Sequence, residues 1–264
     1  FKQEPVKKFT FDSTTLVEKA SKDLEEQCKK GLVAKSISKK TIKRSPREPF
    51  RTSVLQQQAS NRFGFTPKRT MQVAQSLYAR EGGGLITYIR TDSIEIDEGK
   101  VPAVRSQVAS MFGEDFVQPR NYKNKKEAKN IQEAHGAITP VDISLVPADA
   151  KKILNDDEFK LYQLIWQRTV ASQMKDAIFE RTSIEFVPTG DENLATFSFS
   201  DQELIFSGYL EATQEEVTNN KPPLINENDA IGFKALVKTQ HFTDPPPRYN
   251  DASMIKALEE KGIG

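Results

Sequence analysis

The sequence predicts an α+β multidomain chain, a β-rich domain interrupted by a mainly helical insert. Three observations carry this. Residues Leu32–Ile42 alternate apolar and polar with the two-residue period of a long, partly exposed strand. From Pro49 to Met174 the apolar residues recur at helical spacing behind good helix-start signals. From Phe179 onward the texture returns to short strands, so the first and last thirds can form one domain around the insert.

Taken in order, Lys7–Phe11 reads as a strand, and Asp12-Ser13 caps a helix running through Leu24. After the strand at Leu32–Ile42, Ser45-Pro46 and Glu48-Pro49 break the chain at a domain junction. Thr52-Ser53 can cap a helix carrying Leu55 and Ala59. Thr66-Pro67 pairs a cap with proline at the first helical position, opening a helix through Met71, Ala74 and Tyr78 that glycines 82–84 end. Asp97 opens a further helix with Val101, Val104, Val108 and Met111 on one face, stopped by Gly113. Asn121–Asn130 is a polar, lysine-rich loop. Asn155–Met174 is a helix whose buried face includes Phe159, Leu161, Tyr162, Ile165, Trp166, Thr169 and Val170. Strands come next at Thr182–Val187, Ala195–Ser200 and Leu204–Leu210, with turns at Gly190-Asp191 and Asp201-Gln202, and another near Phe233–Val237. A last helix starts at Asn250 or Asp251 and stops at Gly262.

Composition narrows the class. At 264 residues, 37% hydrophobic and 28% charged, the chain has room for one large domain or two to three modest ones. No apolar run approaches the ~20 residues that span a bilayer, and the polar N-terminus does not read as a signal peptide. Cys28 is the single cysteine, which rules out an internal disulfide or a Cys-based zinc site and fits a reducing compartment. The net charge of +1 hides an asymmetry. Lys35–Arg69 holds ten lysines and arginines against Glu48 alone, a net of +9; Glu180–Ala230 holds eleven acids against Arg181 and Lys221, a net of −9. The first suits either a phosphate-tracking groove or a solvated face. The second argues against a DNA surface on that arm.

The chemistry concentrates in Ile86-Thr87-Tyr88-Ile89-Arg90-Thr91-Asp92-Ser93, just past Gly82-Gly83-Gly84. In a strand, Tyr88 and Arg90 project from the same face. A phenol attacking a phosphodiester needs a fixed cation to hold the phosphate, and the charged, forked guanidinium of arginine suits that role. The same spacing also describes a strand end with a core tyrosine and a solvated arginine.

Five blocks resemble type IA DNA topoisomerases in that family's order. The tyrosine segment is similar to its Ile-Thr-Tyr-x-Arg-Thr-Asp-Ser pattern, and Pro49-Phe50-Arg51-Thr52-Ser53-Val54-Leu55-Gln56-Gln57 to its Pro-Phe-x-Thr-Ser-x-Leu-Gln-Gln helix start. Gln132-Glu133-Ala134-His135-Gly136-Ala137-Ile138-Thr139-Pro140 is similar to its Glu-Ala-His-x-Ala-Ile-x-Pro segment. His241-Phe242-Thr243 with Pro246-Pro247-Arg248-Tyr249, then the Ala252–Gly264 run ending Gly262-Ile263-Gly264, complete the set. Ile89, where topoisomerase III members tend to carry proline, places the resemblance nearer bacterial topoisomerase I.

The resemblance implies residues 1–45 and 176–235 as a β-rich arch, 46–175 as the domain carrying the active-site tyrosine, and 236–264 as the start of a helical base domain. It covers most of this chain but well under half of a complete enzyme; the Toprim domain with its Mg²⁺-binding acids is not in it, so no cofactor or metal is expected within these residues. The implied reaction is attack of Tyr88 on single-stranded DNA, giving a 5′-phosphotyrosine and relaxing negative supercoils without ATP, with the isolated segment inactive. Arg90 is implied as phosphate grip and His135 as a phosphate ligand or a structural histidine. Thr243 is a phosphate contact or a cap, and Arg248 and Tyr249 are groove or packing residues. Asp92 would orient Arg90 or cap the next segment; Thr52, Ser53 and Gln57 would be capping and interface residues. Many bacterial members carry Glu at the position of Gly136 and Arg at that of Thr139. The expected setting is a monomer on DNA in a bacterial cytoplasm or nucleoid, without a membrane. A non-catalytic single-stranded DNA clamp of the same architecture is the alternative.

Overall fold

In a computed structural model, residues 13–124, 135–191, 195–242 and 244–263 are described; the predicted strand at Lys7–Phe11 lies outside them. Contacts divide the chain into two units, one drawn from 1–42, 179–205 and 218–245, the other from 43–178, 206–217 and 246–264.

The first unit begins with α1 (Thr14–Cys28), capped as expected by Ser13, whose Oγ accepts the Leu16 N–H at 3.3 Å. A four-stranded sheet comes next in the order β3-β2-β1-β4: β1 (Leu32–Arg44), β2 (Ala177–Pro188), β3 (Phe197–Phe206) and β4 (Ala230–Ile231). β4 pairs antiparallel with β1, Leu32 opposite Ile231 and Val33 opposite Ala230. Two expectations fail here. Residues 201–202 do not turn: Asp201 Oδ1 accepts the Gln202 N–H at 2.9 Å and β3 runs through as one edge strand, ending before Leu210, which is helical. Nor is there a strand at 233–237. The β1–β4 pairing ends where Gly31, at φ +95°, turns the chain away, so the residues after Ile231 find no continuing β1 partner.

The second unit is helical. It comprises α2 (Thr52–Phe63), α3 (Pro67–Tyr78), α4 (Val101–Phe112), α5 (Pro147–Ala150), α6 (Asp156–Ser172), α7 (Leu210–Thr213) and α8 (Asp251–Glu260). Side-chain caps set several starts. Thr66 takes the Arg69 N–H, and Asn155 and Asn250 form capping boxes with Glu158 and Ser253. α6 is the hub, packed by α3, α4, α5 and α7. Its Leu161, Tyr162, Ile165, Trp166 and Val170 are buried as the periodicity predicts, whereas Phe159 is only half-buried. Trp166 is a core residue with its indole N–H on the Ile143 carbonyl at 2.9 Å. On α4, Val104 and Val108 are buried but Met111 is exposed. Phe112 ends the helix instead, its ring 6.3 Å from Phe116, itself 5.0 Å from Phe206.

Candidate active site

The tyrosine segment is extended but is not the regular strand its spacing suggests. Ile86 makes one isolated bridge, to Pro140, and the rest is tied by hydroxyl groups. Thr87 donates its N–H to the Thr139 carbonyl (2.8 Å) and its Oγ1 to the Ala137 carbonyl (2.9 Å), and accepts the Thr139 N–H (2.9 Å). Thr52, the first residue of α2, reaches across with Oγ1 to the Ile89 carbonyl (2.8 Å) and accepts the Thr91 N–H (2.9 Å). It does not cap its helix; Arg51 holds the cap position and makes no side-chain capping bond. Thr91 Oγ1 in turn donates to the His135 carbonyl at 3.2 Å. Because each hydroxyl both donates and accepts, a short segment keeps its backbone satisfied without a full ladder.

The two-residue alternation survives the missing ladder. Ile89, Thr91 and Ser93 are buried, while Tyr88 is half-buried and Arg90 and Asp92 are exposed. Tyr88 lies against His135, ring centroids 4.4 Å apart, and meets the edge of Tyr78 at 5.6 Å. A polar cleft of about 170 Å³ opens there, lined by Thr87, Tyr88, Asp97, Lys100, His135, Gly136, Ala137 and Thr139. Arg90 is outside that lining and makes no ion pair with Asp92; Ser93 shapes the next turn instead, Oγ accepting the Glu95 N–H at 3.1 Å.

Three sequence blocks thus meet at Tyr88, and a fourth braces them. Ile138 donates its N–H to the Phe50 carbonyl at 2.8 Å. On α8, Glu259 accepts from Arg51 Nε (2.6 Å), Ser53 Oγ (2.9 Å) and Gln57 Nε2 (3.4 Å), tying α8 to α2 within the second unit. Partial burial pushes the Glu259 carboxyl up, but the Arg51, Ser53 and Gln57 bonds outweigh it and hold it below the ordinary range. Arg248 is exposed, and Thr243 lies outside the described residues.

Gly136 acquires a steric reason. A Cβ there would stand 2.9 Å from the Glu95 carbonyl oxygen, which accepts the Ala137 N–H at 2.8 Å. The basic stretch is also less free than its charge implies. Lys39 pairs with Glu180, Arg51 with Glu259, Arg62 with Glu215 and Arg69 with Asp157. Lys100, Asp97 and Tyr78 are not recognisable as site residues from the sequence, since helix-end and helix-face positions carry no sign of the cleft they border. Among the described residues no group of three or more His, Cys, Asp and Glu side chains could hold a metal ion. No helix among them is long and apolar enough to cross a membrane.

The α+β fold with its antiparallel sheet is also found by comparison. The chain superposes on full-length topoisomerase I from Thermotoga maritima with a TM-score of 0.80 at 32% identity, covering 98% of this chain and 42% of that one. A DNA topoisomerase family model matches residues 1–264, and the chain belongs to that family. It is 40% identical over 260 residues to DNA topoisomerase 1 of Rickettsia bellii, covering 94% of this chain and 32% of the relative. To DNA topoisomerase 1 of Helicobacter pylori it is 39% identical over 253 residues, covering 94% and 34%. The chain therefore spans about a third of the length of these relatives.

Proposed function

We propose that these residues are the tyrosine-bearing part of a type IA topoisomerase of the bacterial topoisomerase I kind, acting on single-stranded DNA within negatively supercoiled duplex. The observation that carries the reading is Tyr88 itself, half-buried in a polar cleft with its ring on His135 and Arg90 on the same outward side. The Tyr88 oxygen attacks a backbone phosphorus, the phenolic proton leaves, and the P–O bond to the departing 3′ oxygen breaks as the tyrosyl ester forms. One phosphodiester replaces another, so the 3′ hydroxyl can reverse the step without ATP. A free phenol titrates near 10 and needs local positive charge to attack at neutral pH. Arg90 supplies charge and grip on the phosphate. His135 donates to a phosphate oxygen, best when protonated. Thr243 and Arg248 are assigned to the DNA backbone farther along the strand.

In the same reading, residues 1–45 and 176–235 build the arch, 46–175 the tyrosine domain and 236–264 the start of the base. The Mg²⁺ of the complete enzyme belongs to acidic residues beyond this chain, and no residue described here is assigned to it. The 264-residue chain alone then neither relaxes nor efficiently cleaves DNA. The test is covalent trapping in the full-length enzyme, with single-stranded DNA and detergent quench. Tyr88→Phe is expected to abolish the 5′-linked adduct while leaving strand binding within about twofold; an adduct that survives Tyr88→Phe points to another nucleophile and ends this reading.

A further inference from the structure

Arg90 does not line the cleft around Tyr88. Lys100 is the one lysine or arginine in that lining. It is half-buried at the cap position of α4 and makes no side-chain bond with any other described residue. The backbone beside it has little left to offer an anion. The Lys100 and Val101 N–H groups are committed to the Asp97 carbonyl at 2.9 and 3.3 Å, and Pro102 has no N–H. Asp97, the one carboxylate in the lining, is turned into its own loop, Oδ1 accepting the Gly99 N–H at 2.8 Å. It does not ion-pair with Lys100. A lysine that lines a polar cleft and has no side-chain partner among the described residues is suited to an oxyanion brought in from outside.

We propose that Lys100 binds a non-bridging oxygen of the phosphodiester presented to Tyr88, seating the strand from the α4 side while Arg90 holds it from the outer side. This rests on the reading of Tyr88 as nucleophile. It makes Lys100 a phosphate-binding residue of the strand-cleavage reaction, contacting substrate through charge and not through proton transfer.

The experiment uses the full-length enzyme with fluorescent single-stranded oligonucleotides across a salt series, and the same detergent trapping. Lys100→Met is expected to weaken binding about tenfold, as for loss of a charge-assisted bond. It should also flatten the plot of log affinity against log salt by about 0.7, one phosphate contact on a single strand. Adduct yield at sub-saturating DNA should fall in step, and Lys100→Arg should restore most of both. An Asp97→Asn background separates phosphate binding from simple balancing of Asp97, because only a phosphate contact keeps the Lys100→Met change in slope there. An unchanged slope and adduct yield in a Lys100→Met enzyme of native melting temperature, with Tyr88→Phe still removing the adduct, overturns the Lys100 assignment alone. Survival of the adduct in Tyr88→Phe overturns the reading beneath it.

Discussion

Thr52→Val should cost far more than its size suggests. The two side chains are nearly isosteric, so the change deletes one oxygen with little change of volume. That oxygen donates to the Ile89 carbonyl at 2.8 Å and accepts the Thr91 N–H at 2.9 Å. The Thr91 carbonyl keeps a partner in the Thr52 N–H at 3.0 Å, but the Thr91 N–H and Ile89 carbonyl lose theirs. Thr91 is only 5% exposed, so water cannot readily replace the lost acceptor. One buried unsatisfied group costs about 1–3 kcal/mol, so the pair together give an expected loss of about 2–6 kcal/mol. Thr52→Ser is the control, keeping the hydroxyl and losing one methyl worth about 0.8 kcal/mol.

Urea unfolding followed by fluorescence of Trp166, buried in the same unit, reads the difference directly. With slopes of about 1–3 kcal/mol/M, Thr52→Val should lower the midpoint by roughly 1 M or more and Thr52→Ser by well under half of that. The same substitution should reduce adduct formation by the full-length enzyme, because the anchored groups flank Arg90 and lie directly after Tyr88. If Val and Ser prove equally mild, the hydroxyl does not hold the tyrosine segment, and another constraint must be found for its extended path.

Two further outcomes test the surrounding framework. Glu259→Gln should destabilise the second unit by about 1–2 kcal/mol at pH 7, the value for a charge-assisted bond reduced for solvent screening at a partly exposed pair. The folded carboxyl titrates below its unfolded value, so its contribution is complete above about pH 4.3 and fades as pH falls through the depressed folded value. The gap between wild type and Glu259→Gln in urea midpoints should therefore close in acid, and a gap independent of pH would contradict the ion-pair account. Gly136→Ala should cost about 1–3 kcal/mol, as for inserting a methyl group into filled space. Gly136→Glu should be no milder, and a melting temperature raised by either would show that the Glu95 carbonyl yields freely.

Where the sequence was legible, the controlling chemistry was local. Ser13, Thr66, Asn155 and Asn250 each announce a helix because the cap oxygen reaches an amide two or three residues on, a relation contained in a few letters. The α6 core face comes in the same way from helical period. The features that went astray depended on partners distant in the chain. Residues 233–237 read as a strand between proline breaks but lie past the end of β1, and residues 201–202 look like a turn but lie within an edge strand. The tyrosine segment alternates like a strand too, yet its ties come from Thr52 and the 137–139 backbone, and no nearest-neighbour pattern encodes that. Lys100 carries no motif at all; it becomes a site residue only because the 135–139 block folds beside α4's first turn.

The braces around Tyr88 form one continuous path. Glu259 on α8 grips Arg51 and Ser53, the residues on either side of Thr52. Thr52 grips the Ile89 carbonyl and the Thr91 N–H, on either side of Arg90. Thr91 then grips the carbonyl of His135, whose ring rests on Tyr88. Each link is a directional hydrogen bond, so the path joins α8 to the backbone beside the tyrosine without a break. For the nucleophile proposed for Tyr88, such a path supplies a fixed position beside the strand. In the proposed reading it connects the last helix to the backbone that carries Tyr88 and Arg90. That is also why residues with no reactive group, such as Thr52, Ser53 and Glu259, belong in any account of this site.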